Sequence, residues 1–426
     1  MSSTNNIENS ARDWSRVNLS DYLEEVSRRN ARRERLPVLS VTNKSGFVLQ
    51  SETFGRELHS ADTSHYRIVS RGEFGYNPAR INVGSIARLM QFDRGLLSPM
   101  YVVFRTSNRL APDFLEHYVQ TERFLRQVEK NAEGSVRQTL NFSAFRHFEL
   151  ALPDSLAEQS TIADVLTTVD RALGDADKLI NKLRRMRNGL TQDLLTRGID
   201  DNGNVRTEKG HNFVNSPLGA VPKEWSIDTL DNATARITVG LATSVTKYYR
   251  ERGVPLIRNQ NIRKGFFDGS ELMFLDPAFA SRFPGKQLTK GDVLICRTGA
   301  NVGDTCLVPD EYVGSQTFTT LIVSPRNNRL DPAFLVQYMN SQLGARELNY
   351  VLVGAGKNNL NAGHVARVRL LLPSVAEQRS ICSALSVIEN SIQEEERLRS
   401  KLLLVKRGLM EDLLGGKVRV NHLMKQ

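Results

Sequence analysis

The chain has 426 residues, more than one hydrophobic core usually organises, so two or more domains are expected. Apolar residues make up 40% of it, yet no apolar run reaches membrane-spanning length, which excludes a helical membrane protein. Lys and Arg outnumber Asp and Glu by 57 to 47, which favours a polyanionic partner.

The start, "MSSTNNIENSARDW", lacks an apolar signal core, and residues 1–13 read as a flexible tail. Three cysteines, Cys296, Cys306 and Cys382, form no C-x-x-C pair, so a reducing, cytoplasmic setting is expected.

A first block, 14–153, opens on Trp14 and carries 21 basic against 17 acidic residues over positions 1–152. In "RRNARRERL", Arg28, Arg29, Arg32, Arg33 and Arg35 form either a solvated helix face with Glu24, Glu25 and Glu34 or an anion contact. "LPVLSVTNKSG" reads as a strand leading to Asn43 and Lys44. "YRIVS" is a second strand, followed by Arg71-Gly72-Glu73 and, further on, Asn77 and Arg80. "GLLSPMYVVFR", with Ser98, is strand-rich, and "PDFLEHYVQTERFLRQVEKN" reads as a helical stretch. The block closes on "AEGSVRQTLN", a turn presenting Arg137 and Gln138.

Residues 154–198 form a helical segment with seven basic and seven acidic residues from 153 to 198. It lacks proline between 158 and 195, a run of roughly 38 helical residues, about 57 Å at 1.5 Å each. Apolar residues recur by sevens at Ile162, Val169, Ala176, Leu183 and Leu190, and three positions on at Val165, Ala172, Leu179 and Met186, a heptad seam. A further stripe, Leu166, Leu173, Ile180 and Leu194, is wider than a two-stranded coil needs, so it is assigned to docking another subunit.

Residues 199–373 hold a linker and a second block, with 20 basic against 16 acidic residues, opening on Trp225. "RLDPAFLVQY" matches "RLAPDFLEHY" at an offset of 220, and Lys290-Gly291-Asp292 answers Arg71-Gly72-Glu73. Gly314 and Thr317 answer Gly95 and Ser98. "VPLIRNQNIRKG" crowds Arg258, Asn259, Gln260, Asn261 and Arg263 into one loop after a strand and pairs Asn261 with Asn43. "DVLICR" ends on Arg297, and "VLVGAGKNN" presents Lys357, Asn358 and Asn359 where the first block has Arg137 and Gln138. A cation with amides suits DNA, because Arg or Lys can hold a phosphate or guanine and Asn or Gln can take adenine; the amides can equally cap a turn.

Residues 374–416 repeat the helix. Its seam runs through Ile381, Ile388, Leu402 and Leu409, with Ala384, Leu398 and Val405 beside it, and its third stripe is Leu385, Ile392 and Leu413. Ser391 and Glu395 fall in the seam, which therefore packs loosely there or meets a basic partner. Residues 417–426 read as a C-terminal tail.

Catalytic signatures are missing. There is no Pro-Pro or Pro-Cys dipeptide, no Asp or Glu two positions before a Lys, and no zinc spacing among the seven histidines. "VLVGAGKNN" has Val351 and Asn358 where a phosphate loop needs Gly and a hydroxyl.

The doubled layout, "GLLSPMYVVFR", "VPLIRNQNI", "GDVLICRTGANVG", "LP...AEQ.SI" at each helix start and "GL..DLL" at each helix end together resemble the specificity subunit of type I restriction-modification systems. The resemblance covers nearly the whole chain. It implies an α+β fold: two α/β target-recognition domains separated by two long helices forming an antiparallel coiled coil, with a pseudo-twofold internal repeat. It also implies a non-catalytic subunit that reads a bipartite double-stranded DNA target and docks two adenine methyltransferase (M) subunits on the helices, joined by two restriction (R) subunits. No cofactor is expected in this chain; S-adenosylmethionine belongs to M, and ATP and Mg to R. The competing readings are a specificity partner of a stand-alone adenine methyltransferase, a self-contained DNA-modifying enzyme, and a scaffold that binds no DNA.

Overall fold

The computed structural model describes residues 14–51, 62–132, 139–352 and 359–424. The chain divides into two compact units, Met1–Lys178 with Glu396–Gln426, and Leu179–Glu395. The fold is α+β, with two α/β domains, two long helices and an internal repeat.

The first unit is built on an antiparallel sheet in the order Leu23–Glu25, Val102–Thr106, Phe74–Tyr76, Ile86–Arg88. These segments are rich in β-branched and aromatic residues, which fit a pleated, half-buried surface. The core is aromatic: Phe104 stacks on Phe74 at 5.2 Å and meets Phe145 edge-on at 5.4 Å. Each such buried ring contributes about 1.5–3 kcal/mol by leaving water. A smaller cluster, including Leu39, Phe47, Val69 and Val103, underlies the hairpin Leu39–Thr42/Gly46–Leu49.

The second unit repeats that sheet as Thr234–Val239, Leu321–Pro325, Val293–Ile295, Thr305–Leu307. A parallel bridge between Val38 and Leu96 in the first unit widens, in the second, to the parallel ladder Leu256–Gln316, Ile257–Thr317 and Arg258–Phe318. The second unit also adds strands Tyr249–Arg250 and Met273–Leu275 beside that ladder.

The helical stretch expected after Pro112 is two helices, Pro112–Tyr118 and Glu122–Asn131. Thr121 breaks it, because its Oγ1 accepts from the Phe124 amide and donates to the Tyr118 carbonyl, capping the second helix. Ser341 does the same between Pro332–Asn340 and Gln342–Leu352. The arginine run at 28–35 is not a helix: it is irregular chain with a turn at Asn30–Arg33, and Arg33 adopts φ 54°.

The long helices are Leu156–Thr196 and Val375–Leu413. In each unit, half of one lies antiparallel against half of the other. In the first unit, Glu158, Asp170 and Asp177 meet Arg419, Lys406 and Arg399, the partner number falling as the first rises. In the second, Arg187 meets Glu389.

The shared Ala-Glu-Gln at each helix start has a physical explanation. Gln159 Nε2 donates to the carbonyls of Arg109 and Pro153, and its Oε1 accepts from the Ala111 amide at 2.8 Å. Gln378 repeats this with Arg329, Pro373 and the Asp331 amide, the last at 2.7 Å. Both glutamines are fully buried, so each clasps its domain to its helix through three hydrogen bonds. The preceding glutamates each receive an arginine from the segment beyond the other helix's end: Arg419 for Glu158 and Arg206 for Glu377. Gly198 and Gly416, at φ 70° and 73°, close the helix ends, and a Cβ on either would strike Trp225 or Trp14.

The helix faces correct one expectation. Leu166, Leu173, Ile180, Leu194, Leu385, Ile392 and Leu413, assigned to subunit docking, are all buried within the chain, none more than 9% exposed. The inner seam combines this stripe with the row through Ile162 and Ala176, whereas Ala172, Leu179, Met186, Leu398 and Val405 face outward. The reason is electrostatic. Arg187, Arg399 and Lys406 interrupt the stripe in sequence, but each meets a carboxylate of the opposing helix, so the stripe continues as ion pairs.

Candidate nucleic-acid interface

In the second unit, strand Val254–Arg258 runs into a tight turn at Asn259–Asn261. Asn261 is buried and fixes that turn: its Oδ1 accepts from the Arg258 amide at 3.0 Å, and its Nδ2 donates to the carbonyls of Asp268 and Ser270. Every arm of its amide is engaged, so Asn261 shapes the loop and does not face a ligand, contrary to expectation.

Asn259 joins this loop to the next. Its Oδ1 accepts from the Arg297 amide at 3.0 Å, and its Nδ2 donates to Thr298 Oγ1 at 2.9 Å. Arg297 in turn donates from Nε to the Leu360 carbonyl at 2.9 Å, and Thr298 bridges Asn359. Three of the expected residues, Asn259, Arg297 and Asn359, are thereby brought together from positions 38 and 62 residues apart in the chain.

Beside them lies a cavity of about 360 Å³ lined by Arg258, Gln260, Arg263, Thr298, Asn301, Phe318 and Thr319 among others. Arg258 donates from Nη2 to the Glu271 carbonyl, while its Nε is buried without a partner among the described residues. Arg263 reaches Asp268 at 3.4 Å with its side chain 41% exposed. The Asp268 carboxyl is held below the usual range, first by its hydrogen bonds from Ser270 and then by Arg263. Cys296 also faces the cavity, its thiol pushed up to about 11 by burial, which makes it an inert wall. Thr317 is fully buried in its strand and is not a surface contact, a second correction.

In the first unit, Asn43 and Lys44 are exposed at the turn of the hairpin Leu39–Thr42/Gly46–Leu49. The hairpin is tied to the loop carrying Arg80 by Ser85 Oγ donating to the Val41 carbonyl, and Arg80 is exposed there. Asn77 is buried, its Oδ1 accepting from the Ala79 amide, so it caps a turn and does not read a base. Ser98 is half-buried at a strand tip where Met100 stands 59% exposed.

Arg28 donates to both carboxylate oxygens of Glu73, which also accepts from the Ser70 amide at 2.8 Å. Arg236 donates to one carboxylate oxygen of Asp292, at 2.8 Å, which also accepts from the Thr289 amide, while the other oxygen accepts from Ser324. Arg28 is therefore a turn clamp with an exposed flank. Arg71 binds Asp93 at 2.9 Å, and Arg32 is exposed on its turn. Arg137, Gln138, Lys357 and Asn358 lie outside the described residues.

Sequence reasoning passed over a basic aromatic patch on the second unit. The Lys247 ammonium lies 5.1 Å from the Tyr248 ring, Tyr248 stacks on Phe279 at 3.7 Å, and Arg282 covers Phe279 at 5.8 Å. The run "KYYRER" was its signal. Chemically, both units present cations, amides and a few apolar tips, a set suited to binding a polyanion with ordered donors and acceptors.

A family model described as "Type I restriction modification DNA specificity domain" matches residues 88–185 and 249–404, more than half of the chain. The chain is 23% identical over 343 residues to the type I restriction enzyme MjaVIII specificity subunit of Methanocaldococcus jannaschii, covering 78% of this chain and 76% of that protein. It is also 23% identical over 425 residues to the putative type I restriction enzyme MjaX specificity subunit of the same organism, covering 96% and 94%. Its fold is similar to a crystal structure of a type I restriction-modification system S subunit from M. genitalium, with TM-score 0.53, 13% identity and coverage of 94% and 96%. Among the described residues, no helix is long and apolar enough to cross a membrane.

Proposed function

Since the chain belongs to the type I restriction modification DNA specificity family, we propose that it is the non-catalytic subunit that reads a bipartite DNA target and carries two adenine methyltransferase subunits. The observation behind this reading is a frame built twice with different tips. The sheet order, the glutamine clasp and the glutamate–arginine latch recur in both units. The tips differ: Ser98-Pro99-Met100 in one and Phe318-Thr319 in the other. A repeated frame suits two identical partners, and unlike tips suit two different half-sites.

Phosphate contacts from exposed cations such as Lys44, Arg80 and Arg263 supply salt-dependent affinity, and loop amides supply sequence. The docking surface for the methyltransferase subunits is the outward row of the helices: Leu179, Met186 and Val387 in one unit, and Leu398, Leu403, Leu404 and Val405 in the other, all at least 40% exposed. S-adenosylmethionine is bound by the methyltransferase, and ATP and Mg by restriction subunits that join the complex; the assembly works in the cytoplasm.

The test is a genome-wide map of methylated adenine with and without this gene. One bipartite motif is expected to lose methylation completely on deletion. An unchanged map overturns the reading, and so does methylation by the purified chain alone.

A further inference from the structure

We infer that the cavity beside Phe318 and Thr319 is the point at which the second unit discriminates a base pair, with the amides of Gln260 and Asn301 taking the major-groove edge of an adenine. This rests on the DNA-reading function proposed above and assigns it to named side chains.

Three observations converge on this cavity. The first is strain. Thr319, a β-branched residue, sits at φ 55°, a conformation that disfavours a Cβ. It is held there by its amide donating to the Leu241 carbonyl at 3.0 Å, while Leu241 and Gly240 donate to Thr317 and Thr320. Gly240 permits this approach, since a Cβ there would lie 1.9 Å from Thr317 Oγ1. A loop held by three hydrogen bonds to the Gly240–Leu241 segment in an unfavourable conformation presents Phe318 and Thr319 in a fixed orientation.

The second is hydrogen-bond accounting. Asn259 and Asn261 engage both ends of their amides within the protein, which sets the shape of the loop. Gln260 between them, and Asn301 on the facing loop, make no side-chain hydrogen bond with the described residues, yet both line the cavity. A carboxamide offers one donor and one acceptor side by side, the pattern that adenine N7 and N6 complement. The positioning residues and the reading residues thus alternate along "NQN".

The third is the Arg258 Nε, buried and without a partner among the described residues, while Nη2 is anchored on Glu271. A buried donor with no partner among the described residues is completed by water or by a further acceptor. A guanidinium pinned at one nitrogen supplies a fixed donor to a phosphate oxygen flanking the base pair being read.

The experiment is selection of the full-length chain on a random duplex library, with the wild type and a Gln260→Ala/Asn301→Ala variant compared at fixed salt. The wild type is expected to return two conserved half-sites separated by a gap. The variant is expected to return one half-site intact and the other degenerate at one or two adenine-containing positions, with discrimination there reduced about tenfold or more. An identical consensus from both proteins overturns the inference while leaving the DNA-reading function standing. A wild type that returns no split consensus overturns that function itself. A variant whose affinity falls equally on selected and random duplexes, with a shallower salt dependence, shows the cavity holding phosphate and overturns the base-reading assignment. Gln260→Ala alone, at an exposed side chain, repeats the comparison should the double variant melt early.

Discussion

Arg419 grips the buried carboxylate of Glu158 with two nitrogens, Nε to Oε1 at 2.6 Å and Nη2 to Oε2 at 2.7 Å, joining the segment after the second long helix to the first turn of the first. The Glu158 side chain is 2% exposed, so removing its partner strands a charge away from water. Arg419→Ala is expected to cost about 3 kcal/mol of stability, read by urea unfolding. Arg419→Met with Glu158→Gln should recover part of it. A loss under about 1 kcal/mol for the single variant would show that the latch is not buried in solution.

The turn clamps should behave as structure before they behave as DNA contacts. Arg236→Ala leaves Asp292, whose side chain is 1% exposed, without its guanidinium, and is expected to cost about 3 kcal/mol. Arg28→Ala should cost less, because its guanidinium flank is half exposed. Lys44→Ala is expected to leave the melting temperature unchanged and reduce the slope of affinity against salt by about one ion. Equal melting losses for Arg236→Ala and Lys44→Ala would contradict the assignment.

Helix substitutions separate core from docking face. Leu173→Asp with Ile180→Asp places carboxylates in a buried seam and is expected to cost about 3 kcal/mol or more, visible as a lowered melting temperature. Leu404→Asp with Val405→Asp alters side chains that are 70% and 50% exposed. That pair should melt like the wild type and lose capture of a co-expressed methyltransferase subunit. The reverse outcome would return the docking role to the inner stripe.

Stability of the first unit should depend on pH through His117. This residue is 5% exposed, with Nε2 at 3.0 Å from Thr167 Oγ1 and Nδ1 at 3.7 Å from Asp170. Burial lowers its pKa below 6.5; Asp170 opposes the shift, and Lys406 assists it. A histidine with a depressed folded pKa binds fewer protons folded than unfolded, so its stabilising contribution is present above 6.5 and lost as pH falls below that value. His117→Gln, which installs the residue found at the repeat position Gln337, should flatten melting temperature against pH between 5 and roughly 7. An unchanged slope would assign the dependence elsewhere.

Exchanging residues 14–153 for the same region of a relative is expected to change one half of the methylated motif and preserve the other. Sequencing of methylated adenine in the recipient strain reads this directly. A change in both halves would show that the two units do not read independently.

Much of the fold was legible in the sequence because repeats and heptads are patterns of spacing. "AEQ" and "GL..DLL" marked the helix ends, and the structure supplies their cause in Gln159, Gln378, Glu158 and Glu377. The helix break at Thr121 was less legible, since one side-chain cap overrides a continuous apolar period. The proposed reading loops were legible only as neighbourhoods. "IRNQNIRKG" marked a loop crowded with cations and amides, but Asn259, Gln260 and Asn261 are alike in chemistry and differ only in what lies opposite each.

By itself the sequence determined that this chain is doubled, that two long helices join its blocks, and that its charge and amide content suit DNA, because each of these follows from order and composition along one dimension. Only the tertiary structure decided which of three apolar stripes turns inward and which polar side chains face out. The reason is that these depend on partners remote in the chain: Arg399 completes the seam because Asp177 stands across from it, and Asn261 is withdrawn from recognition because two carbonyls, of Asp268 and Ser270, occupy its donors.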